Sequence, residues 1–69
     1  MIRKKAEINA GNYDGNTPLI AAAYSGNIEY VRYLLQHGAD RSIKNNAGKT
    51  ALDIAKEKNK AEIIMLLSE

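Results

Sequence analysis

Sixty-nine residues allow one small domain, near the size at which a single apolar core only just sustains a fold. There is no Cys and the one His is His37, which excludes a disulfide framework, a thiolate zinc site and a cluster of imidazole ligands. A net charge of +2 is too small to argue for nucleic acid, and no apolar run approaches the ~20 residues that span a bilayer.

The four aromatics are all Tyr, so with 45% hydrophobic residues the expected core is aliphatic and helical. Met1-Ile2-Arg3-Lys4-Lys5 is basic, but no apolar stretch follows it to make a secretory signal. An intracellular, cytoplasmic setting is therefore the expectation.

Asn12-Tyr13-Asp14-Gly15 reads as a turn, since Asp-Gly supplies the positive φ that tight turns need. Thr17 then caps a first helix, with Pro18 at its first position, where a missing N–H costs nothing. Leu19 to Ser25 supply that helix, whose Ala21, Ala22 and Ala23 let neighbours approach closely and favour helix. Gly26-Asn27 breaks it, and Asn27 caps the next.

Ile28 to Gln36 form a second helix, in which Ile28, Val31, Leu34 and Leu35 make an apolar stripe. Tyr30 and Tyr33 flank the stripe, their rings packed and their hydroxyls in water. Gly38 ends the helix, with His37 near the negative end of its dipole. Ala39 to Lys49 is a polar excursion with a turn at Asn45-Asn46-Ala47-Gly48. Thr50 caps the next helix, and Asp53 three residues on makes a variant of the reciprocal capping box. Asn59 and Glu62 are expected to repeat that arrangement at the last helix.

These elements occur twice. Thirty-three positions separate Gly15 from Gly48, Thr17 from Thr50, Leu19 from Leu52 and Ala22 from Ala55. The register extends outward through Ala6 and Ala39, Asn12 and Asn45, Glu29 and Glu62, and Leu34 and Leu67. A fixed period of this size signals stacked units that bury apolar faces against one another. Thr17-Pro18-Leu19, Ala21-Ala22, Gly26, Leu34-Leu35 and Gly38-Ala39-Asp40 sit where the ankyrin repeat pattern puts them, and the chain resembles that family over nearly its whole length. It departs at the motif's His, where Ile20 and Asp53 stand, and in the second unit at Ala51 for Pro and Asn59 for Gly.

The resemblance implies an all-α ankyrin-repeat solenoid of helix-turn-helix units with projecting hairpin-like loops. Residues 1–11 are expected to be the remnant of a preceding repeat, 12–44 an ankyrin repeat and 45–69 a C-terminal capping repeat. By that register Met1-Ile2 overlies Leu34-Leu35, and Lys5 takes the place of Gly38, which predicts a weaker helix end there. Between the units Ile20 becomes Asp53, Ala23 Lys56, Gly26 Asn59 and Leu35 Ser68, the polar outer face that a terminal repeat needs. Glu69 thus reads as a true end of the fold and the start as a cut.

The resemblance further implies noncatalytic binding of a protein partner through the concave face of helices and loop tips. Its first unit places Tyr13, Asp14, Asn16, Tyr24 and Ser25 there, and its second Lys44, Asn46, Ala47, Lys49, Glu57 and Lys58. Tyr13 and Tyr24 lead this group, because Tyr buries much area at little entropic cost.

No catalytic, metal or cofactor constellation emerges. Thr17 and Thr50 are accounted for as caps, the carboxylates of Asp14, Asp40 and Asp53 occupy three different places in the unit, and the glycines never approach a phosphate-loop spacing. Two further readings compete with protein binding. Self-association into a homo-oligomer would use an uncapped leading face of Leu19, Ala23 and Ile28. Nucleic-acid binding would use Arg3, Lys4, Lys5 and the lysines from 56 to 60, but no aromatic interleaves with them, so a solvated helix end is the better reading.

Overall fold

The computed structural model describes residues 8–68 and folds them into four helices: α1 (Pro18–Ser25), α2 (Ile28–Gln36), α3 (Ala51–Glu57) and α4 (Ala61–Ser68). No strand occurs among the described residues. The expectations placed on Met1, Ile2, Arg3, Lys4, Lys5 and Glu69 lie outside them.

Three of the four helices begin on side-chain caps written in the sequence. Thr17 Oγ1 accepts the Ile20 N–H at 3.3 Å and Pro18 occupies the first turn of α1. Asn27 Oδ1 accepts the Tyr30 N–H at 3.1 Å to start α2. The capping box at α3 closes in both directions, with Asp53 N–H to Thr50 Oγ1 at 3.2 Å and Thr50 N–H to Asp53 Oδ2 at 3.1 Å. Each cap satisfies backbone donors that a helix N-terminus leaves unpaired and stabilises by about 1 kcal/mol.

The expected Asn59–Glu62 cap is not what the structure builds. Asn59 has φ 55, the left-handed conformation that terminates a helix, so it closes α3 rather than opening α4. Lys60 N–H reaches back to the Ala55 carbonyl at 2.9 Å and Asn59 N–H to that of Lys56 at 3.2 Å, the double closure of a Schellman end. Gly26 (φ 75) does the same work at the end of α1, where Asn27 N–H bonds the Ala22 carbonyl at 3.1 Å. The residue that precedes α4 is therefore Lys60, whose carbonyl accepts the Ile64 N–H at 2.8 Å.

Helix α1 packs on α2 and α3 on α4 within each hairpin, while α1 on α3 and α2 on α4 join the hairpins side by side. The core is aliphatic as composition suggests, with Leu19, Ile20, Ala23, Val31, Leu34, Ile54 and Ile63 essentially inaccessible. Ile8, equivalent to Arg41, is also buried, whereas Arg41 instead donates to the Leu67 carbonyl at 3.0 Å at the end of α4. Tyr30 and Tyr33 stack at 6.1 Å and the Tyr33 ring meets that of His37 at 4.2 Å.

Comparing equivalent positions shows which way the stack runs. Ile20 and Ala23 are buried, and their counterparts Asp53 and Lys56 are exposed. Conversely Ala21 and Tyr30 are exposed while their counterparts Ile54 and Ile63 are buried. The second hairpin thus covers the trailing side of the first with its own leading side. This corrects the expected leading face. Leu19 and Ala23 are interior, at 1% and 0% exposure, and of the three residues expected there only Ile28 remains partly accessible. Ala21, expected to sit in a helix seam, is exposed for the same reason.

A candidate partner-binding groove

The two polar turns that precede α1 and α3 are built alike. Asn12 Oδ1 accepts the N–H groups of Asp14 at 2.9 Å and Asn16 at 3.0 Å, folding the turn around one side chain. Asn45 Oδ1 does this for Ala47 and Lys49, both at 3.0 Å. Asn is suited to the role because its short amide mimics a backbone turn. A hydrogen-bonded seam then joins the turns. Asn45 Nδ2 donates to Asn16 Oδ1 at 2.9 Å, Asn46 Nδ2 to the Tyr13 carbonyl at 2.8 Å, and the Asn46 N–H to the Asp14 carbonyl at 2.9 Å. Close approach requires a glycine at 15: a Cβ there would stand 2.6 Å from Asn46 Oδ1 and 2.9 Å from its backbone nitrogen.

Between the joined turns and α1 lies an open groove of about 400 Å³, lined by Asp14, Asn16, Tyr24, Asn45, Asn46 and Ala47. Tyr24 forms an aromatic wall and is 44% exposed. Lys58 reaches over it from the end of α3, its ammonium 5.5 Å from the ring centre, a cation–π distance. Lys49 pairs with Glu57 on the same side, and that bond raises the Lys49 pKa above its ordinary value. Asp53 is held below the usual carboxylate range, first by its bond from the Thr50 backbone N–H, with Lys56 and Lys44 adding smaller contributions.

Five of the residues expected at a recognition surface therefore line the groove, and Lys49, Glu57 and Lys58 stand beside Tyr24 or paired nearby. Three stand apart. Tyr13 is fully exposed and lines a separate depression with Gly11 and Asn12. Ser25 turns its hydroxyl back to the Ala22 carbonyl at 3.2 Å. Lys44 is exposed and does not line the groove; its field reaches Asp53 on the outer side instead. Sequence reasoning missed Asn45, which is buried and both shapes its own turn and anchors the seam. The signal is present in the exact recurrence of Asn12 at position 45, which from the sequence reads as a turn residue alone.

The lysine run divides among three places. Lys56 is exposed on the outer side, Lys58 stands over Tyr24, and half-buried Lys60 lies under the end of α1, where a Cβ at Gly26 would meet its Cε at 3.0 Å.

The family model described as Ankyrin repeats (3 copies) matches residues 1–69. The chain belongs to the ankyrin repeat family. An ankyrin repeat protein of Rickettsia bellii is 39% identical over 64 residues, covering 93% of this chain and 38% of its own length. Human ankyrin repeat and SOCS box protein 11 is 38% identical over 71 residues, covering 99% of this chain and 22% of its own. A solved complex of the predatory endopeptidase Bd0816 of Bdellovibrio bacteriovorus with immunity protein Bd3460 contains a chain of similar fold. The match has a TM-score of 0.84 and 40% identity, covering 94% of this chain and 34% of that one. This ankyrin chain thus spans well under two thirds of the length of these relatives. Ankyrin repeats are generally noncatalytic protein–protein interaction modules, and no described helix of this one is long and apolar enough to cross a membrane.

Proposed function

We propose that this ankyrin chain is a noncatalytic binding unit that holds a protein partner in the groove between α1 and the joined turns. The observation that carries the reading is the pairing of a half-exposed Tyr24 wall with a turn seam whose internal hydrogen bonds are already satisfied. Such a surface meets a partner with little reorganisation, which lowers the entropic cost of binding. On this reading residues 12–44 form one repeat and 45–69 a capping repeat, with 1–11 contributing the end of a preceding unit. The similar solved chain comes from a complex of an endopeptidase with an immunity protein, which supports partner binding as the class of function. An intracellular setting belongs to the same proposal.

A photo-cross-linking residue placed at Ala47 tests this directly. A protein partner should be captured from position 47 and not from Gln36, which is exposed on α2 away from the groove. Capture from position 36 with none from 47 would move the interface elsewhere.

A further inference from the structure

Charge is distributed unevenly along the groove. Over Gly11 to Asn27, the positions thirty-three residues on replace Gly11, Asn16, Ala23, Ser25 and Asn27 by Lys44, Lys49, Lys56, Lys58 and Lys60, and Ile20 and Tyr24 by Asp53 and Glu57. That stretch therefore gains five cations against two anions, and Asp14 is replaced by the neutral Ala47. Of the cations, Lys49 is neutralised by Glu57, Lys56 lies on the outer side at the position equivalent to buried Ala23, and Lys60 lies under the end of α1. Lys58 alone lies over an aromatic ring, that of Tyr24 in the groove wall, and no carboxylate pairs with it among the described residues. An ammonium resting on a ring face keeps its N–H donors turned outward, where a charge-assisted bond to a carboxylate adds to the apolar floor the ring provides.

We infer that the groove takes an extended peptide carrying an acidic side chain, whose carboxylate docks on Lys58 while an adjacent apolar side chain lies on Tyr24. The inference rests on the proposed binding role and names the chemistry of the partner. Asp14 stands in the lining beside the neutral amides of Asn16 and Asn46, so a single carboxylate at the Lys58 end with a neutral backbone alongside suits the groove better than a dense polyanion.

The test is a titration of the isotope-labelled full chain, followed by NMR, with short peptides alternating glutamate with leucine or lysine with leucine. The glutamate peptide should shift the backbone amides of Ser25, Asn46 and Ala47 and bind about tenfold or more tightly than the lysine peptide. Lys58→Gln should remove that preference, while Lys58→Arg and Lys56→Gln retain it. Equal or tighter binding of the lysine peptide at the same amides would overturn the charge assignment and leave the groove reading standing. Shifts confined to other faces, or none with either peptide, would overturn both. Displacement of the glutamate peptide by oligothymidylate, with a steep loss of affinity in salt, would assign the site to nucleic acid instead. Concentration-dependent shifts at these amides without peptide would assign it to a second copy of the chain. Either result overturns the inference.

Discussion

Asn45 gives its side-chain amide to Asn16 Oδ1 at 2.9 Å while its own Oδ1 receives the backbone N–H groups of Ala47 and Lys49. One buried side chain thus folds the second turn, ties it to the first and sets the floor of the groove. Removing a partner so that donors are left unsatisfied costs more than the bond is worth on balance, on the order of 1–3 kcal/mol. Asn45→Ala is therefore expected to destabilise the chain by about 2 kcal/mol or more, read as a lower denaturation midpoint. Asn45→Asp keeps the acceptor and loses the bond to Asn16, so a smaller loss is expected near neutral pH.

Asn59 offers a second test, because it ends α3 at φ 55 where the first unit uses Gly26. Residues with a Cβ are strained in this region, and Asn tolerates it better than most. Asn59→Ala should destabilise by about 1 kcal/mol, and Asn59→Gly should be neutral or mildly stabilising. If the two variants melt alike, the left-handed end of α3 is not what position 59 supplies.

The outer side of the second hairpin is expected to keep the stack from growing. Asp53 and Lys56 occupy the positions at which Ile20 and Ala23 are covered in the first hairpin. Asp53→Ile combined with Lys56→Ala recreates an apolar trailing face, and an exposed face of that kind invites a partner. Sedimentation should then show association at micromolar concentrations where the parent shows less. Unchanged sedimentation would mean that these two side chains do not limit stacking.

Acid should weaken the capping box. Bonding from the Thr50 N–H lowers the Asp53 pKa in the folded chain, so the folded state binds that proton less readily than the unfolded one. The stabilisation is full above the unfolded carboxylate pKa of about 3.9 and is lost as pH falls through the lower folded value. Asp53→Asn should therefore flatten the fall in stability below about pH 5 relative to the parent. An unchanged acid limb would show that the carboxylate is not coupled to folding.

Much of the fold was legible because the signals were local and occurred twice. Thr17, Pro18, Asn27, Thr50 and Asp53 announce helix starts through short-range hydrogen bonding, and the structure uses each in that way. The errors arose where a residue type serves two geometries or where burial depends on a neighbour. Asn caps helix starts and also tolerates left-handed ends, and only the backbone shows that Asn59 takes the second role. Leu19, Ala21 and Ala23 are all apolar, and which of them is interior depends on the side from which the next hairpin arrives. Most of the groove followed from the repeat register. Asn45 escaped because its link to Asn16 spans 29 residues, beyond the reach of any local pattern.

The account separates a stacked core that holds the fold from an exposed groove that binds. Tyr24→Ala tests that separation most directly, with thermal unfolding and binding of the glutamate–leucine peptide measured on the same sample. Tyr24 is 44% exposed, so the melting temperature should shift by no more than about 4 °C while affinity falls about tenfold or more. A variant that unfolds much earlier yet binds as tightly when folded would make Tyr24 a core residue and contradict the account.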